Sequence, residues 1–450
     1  MAKSDINMLE GSIWDKILQF AIPLAITSIM QQLFNAADVA IVGQFVGKQA
    51  LAAVGANAVV INLMLNLFIG LSIGTNVVCA NYLGAREYLN LKRGVHTSII
   101  IAVAGGAFLA VFGAIFARDI LVYIDTPAEV LDMAIIYLQI LMIGVPILMI
   151  YNFGSAILRS KGDTKRPLYA MVAAGIVNVL LNLFFVLELG MSVDGVALAT
   201  VLSSVVSAAM ILYYLVNESG PLQLRWKKLS FDWNVFMAIS KVGVPAGIQG
   251  MVFSFSNVII QIALNNLGHE YVAATAVALN YEFAAFFILA AFAQAGTTFV
   301  GQNYGARNIL RCRQIVKWTI RLNLAVAGTA SILFSVFAEP LSAIFTADPQ
   351  VISYSVTRIR YILTFEFISI FMESFSGAMR GVNYSFYPAL ACMIGVCVFR
   401  IIYIYTVFAA EPTFENLMIV YPVSWVLTTI VITAMYFYVF NKLERNYASV

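Results

Sequence analysis

Charge is what this sequence has least of. Only 11% of its 450 residues are Asp, Glu, Lys or Arg, where a soluble protein has about a quarter. With 61% hydrophobic residues, that scarcity excludes a soluble globular protein and places the chain in lipid. Histidine is scarcer still: His96 and His269 are the two, both near the ends of apolar runs. No H-E-x-x-H and no Ser/His/Asp cluster occurs, so an intramembrane enzyme is not expected. The four cysteines, Cys79, Cys312, Cys392 and Cys397, lack metal-ligand spacing and read as ordinary membrane cysteines. A Walker sequence is also missing, so the energy for any transport should come from an ion gradient. No polar stretch is long enough for a soluble catalytic or nucleotide-binding domain. No cofactor and no nucleic-acid partner is expected. The N-terminal MAKSDINMLEGSIWDK holds no signal-peptide core, so the first hydrophobic segment should stay as a membrane helix.

What the sequence has in abundance is long apolar runs. Twelve can be read, roughly 14–43, 51–80, 95–117, 129–158, 167–188, 194–216, 235–266, 272–300, 315–338, 350–379, 387–409 and 414–440. A helix rises about 1.5 Å per residue, so each can cross about 30 Å of hydrocarbon. They are too long and too evenly apolar for barrel strands. Lipid leaves helices as the remaining way to satisfy the backbone. The basic residues support the count. With the N-terminus in the cytoplasm, twenty-one of the 26 Lys and Arg, Lys3 among them, fall on the cytoplasmic side. Lys48, Arg118, Arg358 and Arg360 fall on the other, and Arg400 lies inside a span. So steep a bias predicts a multi-pass protein of the inner membrane with both termini cytoplasmic.

The chain also repeats itself. IPLAITSIMQQLFNAADVAIVG from Ile22 returns as VPAGIQGMVFSFSNVIIQIA from Val244, with Pro23 on Pro245 and Asn35 on Asn257. Gly84-Ala85-Arg86 matches Gly305-Ala306-Arg307, Arg159 matches Arg380, and Pro167 matches Pro388. Six spans in each half give the halves the same orientation. The expected fold is therefore an all-α membrane protein of twelve transmembrane helices. They form two six-helix lobes related by a pseudo-twofold axis along the membrane normal. The expected division is 1–216 for the first lobe, 217–234 for a cytoplasmic linker and 235–450 for the second lobe. The repeat is unequal at one place that matters: Asp38 falls on Ile260.

These residues resemble those of the multidrug and toxic compound extrusion (MATE) family, within the multidrug/oligosaccharide-lipid/polysaccharide exporter group. The features are the first-span pattern P…QQLFNAADVAIVG, the loops NYLGAR and NYGAR, RSKGDTKRP after span four, and MRGVNYSFYP after span ten. The resemblance implies two six-helix bundles facing each other in a V. It implies export of small amphipathic, mostly cationic molecules in exchange for sodium ions or protons. It also makes Pro23, which removes a helix hydrogen bond, a candidate hinge; a static kink is the plainer alternative. A monomer surrounded by lipid is the expected state. The Gly70/Gly74 pair reads as a helix-packing device.

A charge inside a span costs about 2.5–3.5 kcal/mol on insertion scales and marks a functional candidate. Asp38 is late in span one. Asn178 and Asn182 share a face of span five, roughly 16 and 22 Å from its inner end. Thr200 lies about 9 Å from the outer end of span six. All four can share one level and offer oxygen ligands to a hard cation. The resemblance implies the same four positions for the coupling ion, Na⁺ or H⁺. The bland alternative is that the amides only bond helices together. The second half holds Glu282, Glu366, Glu373 and Arg400. Depth along the helices favours Glu366 as the partner of Arg400, with Glu373 the second choice. Glu282, beside Tyr281 in YEFAAFF, sits among aromatics that suit an organic cation. Four intramembrane acids against one base weigh against the rival reading, a flippase for lipid-linked oligosaccharides.

Overall fold

The computed structural model describes residues 6–124 and 126–448; Lys3 of the charge count lies outside them. Among the described residues there is helix and no strand. Among the described residues eleven helices are long and apolar enough to cross a membrane, and the pair Pro349–Leu363 and Glu366–Gly381, bent by 40°, makes twelve if taken as one span. The chain is an all-α membrane protein.

The first unit is built mainly from α2 (Lys48–Gly84), α3 (Tyr88–Tyr123), α4 (Ala128–Ser160), α5 (Lys165–Leu183) and α6 (Val193–Val216). Helix α1 (Trp14–Ile41) and α7 (Trp233–Asn265) are each shared. Residues Ile26–Gly247 cluster as one compact unit, while Asn7–Ala25 cluster with Ile248–Val450. In the first unit α4 is the central element, packed on α2, α3 and α6. Leu138, Met142, Met149 and Phe153 of α4 are fully buried in its core, and Val235 and Ile239 from the start of α7 join them. Gly70 and Gly74 serve the expected packing role. A Cβ on either would strike the backbone of α7 around Ile239, Gly243 and Gly247.

The segment 217–232 is not a loose tether. Leu222 and Leu224 are buried in the first unit. Asp232 accepts from the amides of Asn234 at 3.0 Å and Val235 at 3.1 Å, capping α7. Glu218 receives Lys161 at 2.9 Å and Arg166 at 2.8 Å. Burial alone would raise the Glu218 carboxyl. The Lys161 hydrogen bond and the two positive charges outweigh it and hold the group below the ordinary glutamate range.

In the second unit α8 (His269–Gly305) is the hub. It packs on α9 (Ile309–Asn323), α12 (Pro349–Leu363) and α13 (Glu366–Gly381), and α13 packs on α16 (Phe414–Ala448). Short helices α10 (Thr329–Val336) and α11 (Ala338–Ala343) precede α12, and α14 (Phe386–Cys392) and α15 (Phe399–Tyr403) precede α16. Phe20, from the first turns of α1, meets Phe299 edge-on at 5.7 Å.

The internal repeat is visible in the backbone. Helices α2, α4, α8 and α13 end in the same turn, in which an amide past the last helical turn reaches back five residues. Glu87 N donates to Tyr82 O at 2.9 Å, and Asn308 N to Asn303 O at 2.8 Å. Asp163 N reaches Leu158 O at 3.2 Å, and Tyr384 N reaches Met379 O at 2.8 Å. Each turn needs one left-handed residue: Arg86 and Arg307 at φ 60°, Asn383 at φ 67° and Gly162 at φ 102°. Arg86 pairs with Arg307, and Gly162 with Asn383, at the spacing of the sequence repeat. A π-helical turn at Phe184–Glu188 has its counterpart at Ile404–Phe408. All four cysteines are buried and free.

Candidate ion site and buried charges

Asp38 belongs to the last turns of α1, among mostly apolar residues. Its approach to α5 depends on a missing side chain. Gly175 lies one turn before Asn178, and a Cβ there would overlap the ring of Phe34, one turn before Asp38. The two helices can close up because residue 175 has no Cβ. Asn178 and Asn182, four residues apart, then both face Asp38.

The four residues expected to meet do meet. Asn182 Nδ2 donates to Asp38 Oδ1 at 2.5 Å and to Asn178 Oδ1 at 3.3 Å. Thr200 Oγ1 from α6 donates to Asp38 Oδ2 at 3.3 Å and to the Val196 carbonyl at 3.0 Å. Asn178 Nδ2 lies 3.5 Å from Thr200 Oγ1. Asp38 is 9% exposed and Asn182 fully buried. The Tyr137 phenol of α4, which the sequence did not single out, is buried within electrostatic reach of Asp38. Among the described residues no Lys, Arg or His acts on Asp38.

Two features suit this cluster to a cation. The carboxylate is held by neutral donors alone, so its charge is hydrogen-bonded but not cancelled. The Asn182 Oδ1 atom is buried and accepts no hydrogen bond among the described residues, a costly state for a polar atom. Rotating that amide would turn an oxygen toward Asp38, which is unfavourable unless a cation or a proton sits between them. Asp38, Asn178, Asn182 and Thr200 could thus give a cation carboxylate, amide and hydroxyl oxygens. Among the described residues no group of three or more His, Cys, Asp or Glu is placed to bind a metal. A transition-metal site would draw on such side chains.

The second unit corrects the sequence reading of its charges. Arg400 pairs with neither Glu366 nor Glu373. It donates from Nε to Ser424 Oγ at 3.0 Å, lies 3.5 Å from Asn257 Oδ1, and stacks 4.6 Å over the Tyr421 ring. Glu373 pairs with Arg380 at 3.2 Å, and Arg380 also donates to Gln249 at 3.3 Å. Glu366, 5% exposed, opens α13 just past the bend, and no ion pair to it occurs among the described residues. Glu282 does not stand alone among aromatics. Arg358 grips it with two bonds, Nε to Oε1 at 2.7 Å and Nη2 to Oε2 at 2.9 Å. Tyr281 donates to the Leu341 carbonyl at 2.9 Å and packs on Phe334 and Phe345. Pro23 lies inside an unbroken α1.

Arg358 is the functional-site residue that sequence reasoning did not single out: assigned with Arg360 to the side away from the cytoplasm, it is 3% exposed and pairs with Glu282. The signal was there: Val351, Ser355, Arg358, Ile359 and Ile362 recur at helical spacing and form the buried face of α12.

The MatE family model matches residues 23–184 and again 245–406, one copy on each repeat. A probable multidrug resistance protein NorM from Thermotoga maritima is 29% identical over 394 residues, covering 86% of this chain and 84% of its own. An FAD transporter from Shewanella oneidensis is 24% identical, over 77% of this chain and 78% of its own. The solved structure of an outward-facing multidrug resistance MATE family transporter of the MOP superfamily superposes with a TM-score of 0.91. It is 23% identical, and 99% of each chain is covered.

Proposed function

We propose, from the premise that this chain belongs to the MatE family of multidrug transporters, that it is a cation-coupled antiporter. It exports small amphipathic cations across the cytoplasmic membrane, with both termini in the cytoplasm, by alternating access. The observation that carries the coupling is the buried Asp38, held by Asn182 and Thr200 and opposed by no basic group among the described residues. Such a carboxylate takes up Na⁺ or H⁺ readily, because the incoming charge relieves its burial. A coupling ion shifts the conformational equilibrium only if one state binds it more tightly. The α1–α5 contact at Phe34 and Gly175 gives that difference a structural source, since separating these helices would take Asp38 away from the two amides. Pro23 is the proposed hinge in α1.

Neither the membrane helices nor the family suggests an enzyme; these proteins are transporters. The name of the S. oneidensis relative raises FAD as a second class of cargo. We favour organic cations, because the charge around Asp38 is negative and uncancelled.

The test is efflux from proteoliposomes under an imposed Na⁺ gradient or an imposed pH gradient, using ethidium and, separately, FAD. One gradient should drive ethidium export, and Asp38→Asn should abolish it. Export of FAD alone, or normal transport by the variant, would defeat this reading.

A further inference from the structure

Among the described residues, the second unit holds a positive charge with no counter-ion. Arg400 is 2% exposed, and its protein partners are a hydroxyl, an amide oxygen and an aromatic face. Its Nη2 donates to no acceptor among the described residues. The acids on the neighbouring spans do not serve it. Glu282 is taken up by the Nε/Nη2 edge of Arg358, and Glu373 by Arg380. Glu366 lies within the field of Glu282, and no ion pair joins it to Arg400. Arg358 stands 5.4 Å over the same Tyr421 ring, but its charge is met by Glu282, so Arg400 is the uncompensated one of the two. A buried charge that is hydrogen-bonded but uncompensated is expensive to keep. The remaining edge of a guanidinium suits the planar oxygen pair of a carboxylate.

We infer that Arg400, with Ser424 and Asn257 beside it, is a recognition point for a carboxylate group on the transported molecule. This rests on the export reading above and narrows its substrate class. The preferred cargo is an amphipathic aromatic compound that carries a carboxylate as well as its positive charge. Tyr421 fixes the guanidinium plane. Ser424 and Asn257 occupy Nε and one Nη and leave the other Nη for the ligand. The Asp38 cluster in the first unit keeps its separate role with the coupling ion.

The experiment is direct binding to the purified full-length protein, read by fluorescence anisotropy. The probes are a rhodamine with a free benzoate group and its methyl ester, which differ at the carboxyl alone. The wild type should bind the acid at least tenfold more tightly than the ester. A hydrogen bond to a charged partner typically accounts for about 10- to 100-fold. Arg400→Gln should bring the ratio close to one, and Arg400→Lys should retain part of it. Equal binding of acid and ester by wild type, no binding of either, or an unchanged ratio in Arg400→Gln would each overturn the inference. If Arg400→Gln fails to fold, competition on the wild type decides. Benzoate should displace the dye where benzamide does not, and equal displacement would overturn the assignment. Tight, carboxylate-selective binding without gradient-driven export would instead sink the transport reading and leave this one standing.

Discussion

Replacing Glu218 by leucine should unlatch the segment that joins the two repeats. The Glu218 carboxylate takes Lys161 at 2.9 Å and Arg166 at 2.8 Å. The Lys161 and Glu218 side chains are only 7% and 6% exposed. Removing one partner of a buried pair costs about 3–5 kcal/mol, because the other charge stays behind unpaired. Arg166 keeps a second acid, Asp163, and the cluster sits at helix ends, so about 3 kcal/mol is the expected loss. The assay is thermal unfolding of the detergent-purified protein. Adding Lys161→Met should recover part of the loss, since the buried charge that Glu218 neutralised goes with it. The pH dependence has a definite sign. The folded state holds the Glu218 carboxyl below its ordinary value, so its contribution is complete above about pH 4.3, the unfolded glutamate value. That contribution fades as pH falls through the lower folded value. The wild type should therefore lose stability on acidification over that window, and Glu218→Leu should lose less. An unchanged melting temperature in Glu218→Leu, or a double variant weaker than the single, would refute the reasoning.

Other perturbations test the two buried clusters. Asn182→Ala removes the shortest bond to Asp38 and should raise the coupling-ion concentration for half-maximal export about tenfold or more; proteoliposome titrations would show it. Glu282→Gln strands Arg358 and should destabilise the protein by about 3–5 kcal/mol, whereas the pair Glu282→Gln and Arg358→Met should be close to wild type in thermal unfolding. Gly175→Val should force α1 from α5 and cost about 1–3 kcal/mol. Coupling should weaken with it, and Phe34→Ala should restore both in a double-mutant cycle.

Much of the fold was legible because lipid restricts the choices. Long apolar runs must be helices, and the basic loops count them. The site around Asp38 was legible for a related reason. Polar residues inside spans are few, and the four-residue spacing of Asn178 and Asn182 fixes a common face. The charges of the second unit were less readable. Depth along a helix gives a height but not a direction around the axis, so Arg400 was matched to an acid at its level that points elsewhere. The 40° bend between α12 and α13 moves Glu366 off the straight line on which its depth was measured. The pairing of Arg358 with Glu282 was not legible because a charged pair near the start of a run looks like a boundary. Its helical spacing with Ser355 and Ile362 carried the better information.

The sharing of α1 and α7 bears on how such a chain could be divided. Asn7–Ala25 cluster with residues 248–450, and the segment up to Gly247 clusters with the first unit. A cut at residue 217 or 234 would therefore give no self-sufficient half. The N-terminal fragment would lack the start of α7, whose Val235 and Ile239 belong to its core, and would carry a stranded half of α1. Two fragments made together could complement one another, and each alone would leave apolar surface bare.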